Sequence, residues 1–184
     1  MSSRYHTICP LILLSMQYAT EYWSGLYPVG MDWEKAVRLK NSEIDKTSTD
    51  YYQVSSAFTN PEQNAALINY KNQEFPAFDI QDLQEVDYSI TQNEQQLFIL
   101  RHCLENEETK IGLAQIMAIQ NWADNFKLVL DAEDYILFDS ATHYYELDLE
   151  EYPSITLKKG QYTVSTAQLI HEDYEIIIHK LELI

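Results

Sequence analysis

The segment YEIIIHKLEL, residues 174–183, constrains the fold more than any other stretch of this chain. Its centre is apolar at every position, so a strand formed there has no face to give to water. The reading is an interior strand, paired on both sides. Other runs rich in β-forming residues can supply the partners: PLILLSM (10–16), DYYQVSSAF (50–58), AALINY (65–70) and QQLFILRHC (95–103). Between KLVL and YILFD, DAED reads as a hairpin turn. SITL, KKGQ and YTVSTAQLI read as a second hairpin, with Gly160 supplying the positive φ that a tight turn needs.

Two segments carry a helical period. DWEKAVRL (32–39) can be capped by Asp32, and Trp33, Ala36 and Val37 share a face. NEETKIGLAQIMAIQNW (106–122) is the stronger signal. Asn106 can cap it, Glu107 and Glu108 suit the first turn, and Ile111, Ala114, Ala118 and Trp122 make a stripe beside Leu113 and Met117. That pattern predicts a well-buried helix with Met117 as core filler. The fold class expected is α+β: a largely antiparallel sheet, or two, with a helix packed on one face. A chain of 184 residues suits a single domain over 1–184; a division near 125, into an α/β part and a β part, is the other organisation open to it.

Chemistry leaves few traces. Four glycines in the whole chain are too few for phosphate-cradling loops, and neither G-x-x-x-x-G-K-[ST], G-x-G-x-x-G nor G-x-S-x-G occurs. H-E-x-x-H and C-x-x-C are absent as well. His171 and His179 stand eight apart with poor ligand geometry, and His179 reads as a hydrogen-bonded sheet residue. His102 and Cys103 are neighbours on a predicted strand, so they point to opposite faces and cannot act as base and nucleophile. Cys9, in an apolar run, reads as a buried small hydrophobe, and a reduced pair is expected rather than a disulfide. The chain is read as neither an enzyme nor a holder of metal or cofactor. The alternative is a small hydrolase or metal-dependent enzyme using an unrecognised carboxylate site.

Charge carries the functional argument. The formal net charge is −17, which opposes binding to nucleic acid and to anionic membrane and favours cationic surfaces. The seven-residue apolar run ICPLILL is interrupted by proline and falls well short of the roughly 18 residues of a membrane span. A cytoplasmic protein is expected. Between Lys71 and Arg101 stand six acids and no cation: Glu74, Asp79, Asp82, Glu85, Asp87 and Glu94. Between Lys127 and Lys158 stand eight more, Asp139, Glu146, Asp148, Glu150 and Glu151 among them. Aromatics are interleaved in both tracts: Phe75, Phe78 and Tyr88 in the first, Tyr135, Phe138, Tyr144, Tyr145 and Tyr152 in the second. Solvated loops would look like this, and so would a surface shaped for a basic protein, where tyrosines anchor and acids steer. The candidate contact residues are Asp139, Glu146, Asp148, Glu150, Glu151, Tyr144 and Tyr145, with Asp79, Asp82, Glu85 and Asp87 from the first tract. Asp139 has a competing role, capping its own turn.

Motifs near the two ends resemble those of the bacterial immunity proteins grouped as immunity protein 21. They are the opening CPLILLSMQYATEYWSG with its Trp23 and Gly25, the Phe138-Asp139-Ser140 strand end, and the spacing of Leu157, Gly160, Tyr162 and Val164. The resemblance implies a cytoplasmic protein that binds and neutralises a cognate toxin, in many cases a basic nuclease, by occluding its active surface. It brings no catalytic residue with it, and it leaves the toxin and the oligomeric state open.

Overall fold

A computed structural model gives the fold and describes residues 4–7, 9–29, 35, 38–40, 44–58, 63–78, 86–105, 111–147, 152–171 and 174–184. The terminal strand lies where its composition puts it. Strand β11 (Tyr174–Leu183) pairs antiparallel with β6 (Gln96–Glu105) on one side and β10 (Gly160–His171) on the other. Around this trio the first sheet runs β1-β5-β6-β11-β10-β7, with β1 at Arg4–Thr7, β5 at Val86–Gln92 and β7 at Ala123–Leu130. The second sheet runs β3-β4-β2-β8-β9. Its strands are β2 (Leu11–Ser15), β3 (Ala65–Tyr70), β4 (Gln73–Phe78), β8 (Asp134–Asp139) and β9 (Ser154–Thr156). Every pairing is antiparallel, and both sheets combine strands from before and after residue 125.

The sheets stack face to face. Alternate residues of β2 and β8 show how: Leu11, Leu13, Tyr135 and Leu137 point between the sheets, against Tyr88, Leu97, Ile99, Tyr162, Val164 and Leu181 of the first sheet. The intervening Ile12, Leu14, Ile136 and Phe138 point the other way, under a layer of short helices. That layer contains α1 (Met16–Tyr22), whose Ser15 side chain accepts from the Tyr18 N–H, and α2 (Asp50–Ser55), capped in the same way by Thr49 on Tyr52. A single turn and a half, α3 (Leu113–Met117), covers the outer face of the first sheet over Phe98, Leu100, Ile176 and Ile178. The class is α+β, mostly antiparallel sheet, with helices outside both sheets rather than one. Among the described residues no helix is long and apolar enough to cross a membrane.

Four local expectations fail for physical reasons. Residues 50–55 are helix, not strand: the Thr49 cap and Asp50 in the first turn outweigh an alternation that leaves Tyr52 exposed. Of the helix expected over 106–122, the described residues hold five, which begin after an extended Gly112 whose N–H is taken by the Gln115 Oε1 at 2.9 Å. Residues 106–110 lie outside the described part, Ile116 is the buried residue, and Met117 is 53% exposed rather than core. DAED does not close a hairpin, since β7 and β8 belong to different sheets; the chain crosses the sandwich there. It crosses back between β9 and β10, so KKGQ is a bridge too. Gly160 opens β10, where a Cβ would stand 2.5 Å from Leu183 Cδ1. That contact is with the end of a flexible side chain; the φ of +157° is what favours glycine, the expected positive φ placed in a connection between sheets and not in a hairpin. One tight hairpin among the described residues is β3–β4, a two-residue turn in which Lys71 and Asn72 have φ of 50° and 62°. Positive φ at both central residues is the type I′ geometry that suits strand twist. The helix expected at 32–39 falls mostly outside the described residues.

Candidate functional site

Asp139 ends β8, and its side chain turns the chain. Its Oδ1 accepts the Ala141 N–H at 2.8 Å and its carbonyl the Thr142 N–H at 3.0 Å, while Ser140 N–H reaches Pro10 O at 2.9 Å. The carboxylate is 8% exposed, so it belongs to the turn and not to the surface. Cys9 lies beside it, half-buried; burial, then the charge of Asp139, pushes its thiol up to about 11.

This turn lies against the loop after α1. Leu26 N–H donates to Ala141 O at 3.0 Å, and Gly25, at φ +58°, comes so close that a Cβ would stand 2.4 Å from that oxygen. Trp23, 2% exposed, sets its indole edge-on to Phe75 and Phe138 at 5.8 and 6.3 Å. The WSG and FDS segments, more than a hundred residues apart in the chain, therefore form one structural joint.

From that joint rises the 3-10 turn Tyr144–Glu146. His143 caps it, its Nδ1 accepting the Tyr145 N–H at 3.1 Å, which leaves the ring proton on Nε2. Burial lowers the His143 pKa; Glu146 and Asp50 oppose that shift. The Tyr145 ring stacks on the imidazole with centroids 5.3 Å apart, and Tyr27 meets its edge at 5.9 Å. Tyr27 OH donates to Glu146 Oε1 at 3.2 Å. Tyr144 is half-buried, its hydroxyl 3.6 Å from Met16 Sδ of α1. It anchors the turn, whereas Tyr145 and Glu146 face water. Tyr145 (64% exposed), Tyr22 (53%), Leu26 (44%) and Tyr52 (41%) all belong to the segments laid over the second sheet.

Beneath these segments lies a residue that the sequence did not single out. Asp50, with no exposed surface, accepts Ser24 N–H at 2.7 Å and pairs with Lys71 Nζ at 3.1 Å. Tyr70 also hydrogen-bonds to it; burial, then this carboxylate, pushes the Tyr70 phenol up to about 12. One anion thus ties α2, the loop after α1 and the β3–β4 turn. Reading 50–58 as strand hid it; the pair Thr49-Asp50, a cap followed by a first-turn acid, was the available signal.

The other candidates divide. Asp148, Glu150, Glu151, Asp79, Asp82 and Glu85 lie outside the described residues. Asp87 sits on β5 of the first sheet, in register with His102, whereas Glu146 is in the 3-10 turn that follows β8 of the second. Phe75, Phe78 and Tyr88 are all core, as are Tyr135 and Phe138; the first tract's described aromatics present nothing to a partner. His179 is the expected sheet residue: its Nδ1 is 3.0 Å from Thr166 Oγ1, with its ring 4.7 Å from Phe78 between the sheets. Among the described residues no group of three or more His, Cys, Asp or Glu could hold a metal ion. No family model, curated protein or solved structure matches the chain.

Proposed function

We propose that this chain is a binding protein of the immunity type, which docks on a cognate toxic protein with a basic surface and occludes it. The observation that carries the reading is the presentation of Tyr145: an exposed phenol stacked on a buried imidazole, with a carboxylate held beside it by Tyr27. A rigid aromatic anchor loses little conformational freedom on binding and contributes a large contact area. Glu146, in a chain of net charge −17, supplies the sign that draws and orients a basic partner. Tyr22, Leu26 and Tyr52 extend the same layer.

The test is co-expression with a toxic protein encoded beside this chain's own gene, followed by calorimetry on the purified pair. Protection and binding are expected for the native chain. Tyr145→Ala with Glu146→Lys should weaken affinity by about 30-fold or more, the equivalent of a hot spot of about 2 kcal/mol. Both side chains face water, so the melting temperature should hardly move. Full protection by the double variant, or no toxic neighbour to protect against, would remove this reading.

A further inference from the structure

At the end of the sandwich away from Asp139, the turn between β5 and β6 and the two crossing connections enclose a cleft of about 630 Å³, a volume typical of small-ligand sites. Its floor is apolar, made by the buried side chains of Leu157 and Tyr162. Its rim is charged with both signs: Lys158 and Lys159 from one connection, Glu133 from the other, Glu94 from the turn. No ion pair joins any of these four to a described residue.

The walls are tied together in advance. Asn93 Oδ1 accepts the N–H groups of Gln95 and Gln96 at 3.0 and 2.9 Å, which fixes the turn. Leu157 N–H donates to Glu133 O at 2.9 Å, joining the two connections, and Tyr162 OH holds Lys158 O at 2.7 Å. Gln95 O accepts from Leu183 N–H at 3.0 Å, anchoring the turn to β11. A cleft so braced needs little ordering to accept a ligand.

The geometry points to a site for a small zwitterion with an apolar middle, of the amino-acid or short-peptide kind. The lysines take its carboxylate, the glutamates its ammonium, and Leu157 and Tyr162 its aliphatic stem. Charge decides the class. A simple anion would meet two carboxylates and the field of a chain at −17, and a simple cation would meet two lysines. A molecule carrying both charges finds an opposite charge for each on the rim, and its zero net charge makes it indifferent to the overall field.

The probe is 6-aminohexanoate, titrated into the whole chain by amide NMR, with hexanoate and hexylamine as one-charge controls. Shifts confined to residues 93–96, 133 and 156–159 are expected, with each control weaker by about 10-fold, the equivalent of one charge-assisted contact. Lys158→Ala with Lys159→Ala should reduce the zwitterion to the affinity of hexylamine, and Glu133→Gln should weaken it while sparing hexanoate. Absence of shifts overturns the proposal, as does hexylamine binding as tightly as the zwitterion or a lysine variant that binds unchanged. These residues are remote from Tyr145 and Glu146, so loss of this site leaves the proposed partner surface untouched, and the converse holds.

Discussion

Replacing Lys71 by methionine isolates the buried ion pair that holds the helical layer to the second sheet. The aliphatic stem is kept, and methionine has the same backbone cost as lysine at a φ of 50°, so the change is confined to the ammonium. Asp50 would then remain inside with no countercharge. Stripping one partner from a buried pair costs about 3–5 kcal/mol when nothing else remains. Here Ser24 N–H and Tyr70 still donate to the carboxylate, and the lysine side chain is 27% exposed, which lets water reach the pair. The expected loss is therefore about 2–3 kcal/mol, close to one charge-assisted hydrogen bond. In a chain of this size it lowers the melting temperature by about 4–12 °C. Asp50→Asn on the same background removes the stranded charge and should recover part of the loss. The four-variant cycle, followed by urea unfolding, should give a coupling of at least about 1 kcal/mol. A Lys71→Met chain within about 0.5 kcal/mol of the parent, or an additive cycle, would show that Asp50 does not depend on Lys71.

Gly25→Ala places a Cβ in the backbone of Ala141 and Thr142 at a positive φ, so a cost above about 2 kcal/mol is expected in denaturant titration. His179 is held neutral, by burial first and then by Arg101, with its pKa lowered from 6.5 to about 3. The unfolded chain binds that proton more readily, so the stability carried by the neutral ring is complete above pH 6.5 and drains as pH falls toward 3. Unfolding free energies measured across that window should fall less steeply in His179→Gln than in the parent, and equal slopes would contradict the assignment.

What could be read in the sequence was set by how local the cause is. The strand at 65–70 was legible because alternation and β-propensity agree over a short span. The one at 174–183 was legible because a wholly apolar centre admits few alternatives. The turns at 131–134 and 158–161 do not close hairpins, which was not legible because a turn between two strands looks the same whether it folds a strand onto its neighbour or carries the chain to a facing sheet. Only the partner decides, and the partner is β10 for β7, β2 and β9 for β8. The candidate site was legible in part for the same reason. Tyr145 and Glu146 sit within one turn of each other, but Tyr27, which positions the Glu146 carboxylate, comes from 119 residues away.

The helical layer divides its residues between an inner face that packs and an outer face open to solvent. Inward, Tyr18, Ala19, Trp23, Val54 and Leu147 fill the space above the second sheet, and Asp50 and Gly25 lock the segments to one another. Tyr22, Leu26, Tyr52 and Tyr145 are not among the residues buried there. A lone exposed tyrosine needs no explanation. Three tyrosines and a leucine are exposed on one layer: Tyr22 touches the Tyr18 ring at 5.3 Å and Tyr145 stacks on His143, yet each keeps more than 40% of its surface in water. On the function proposed above, a second protein would bury them, and the affinity of the Tyr145 and Glu146 variant tests that directly.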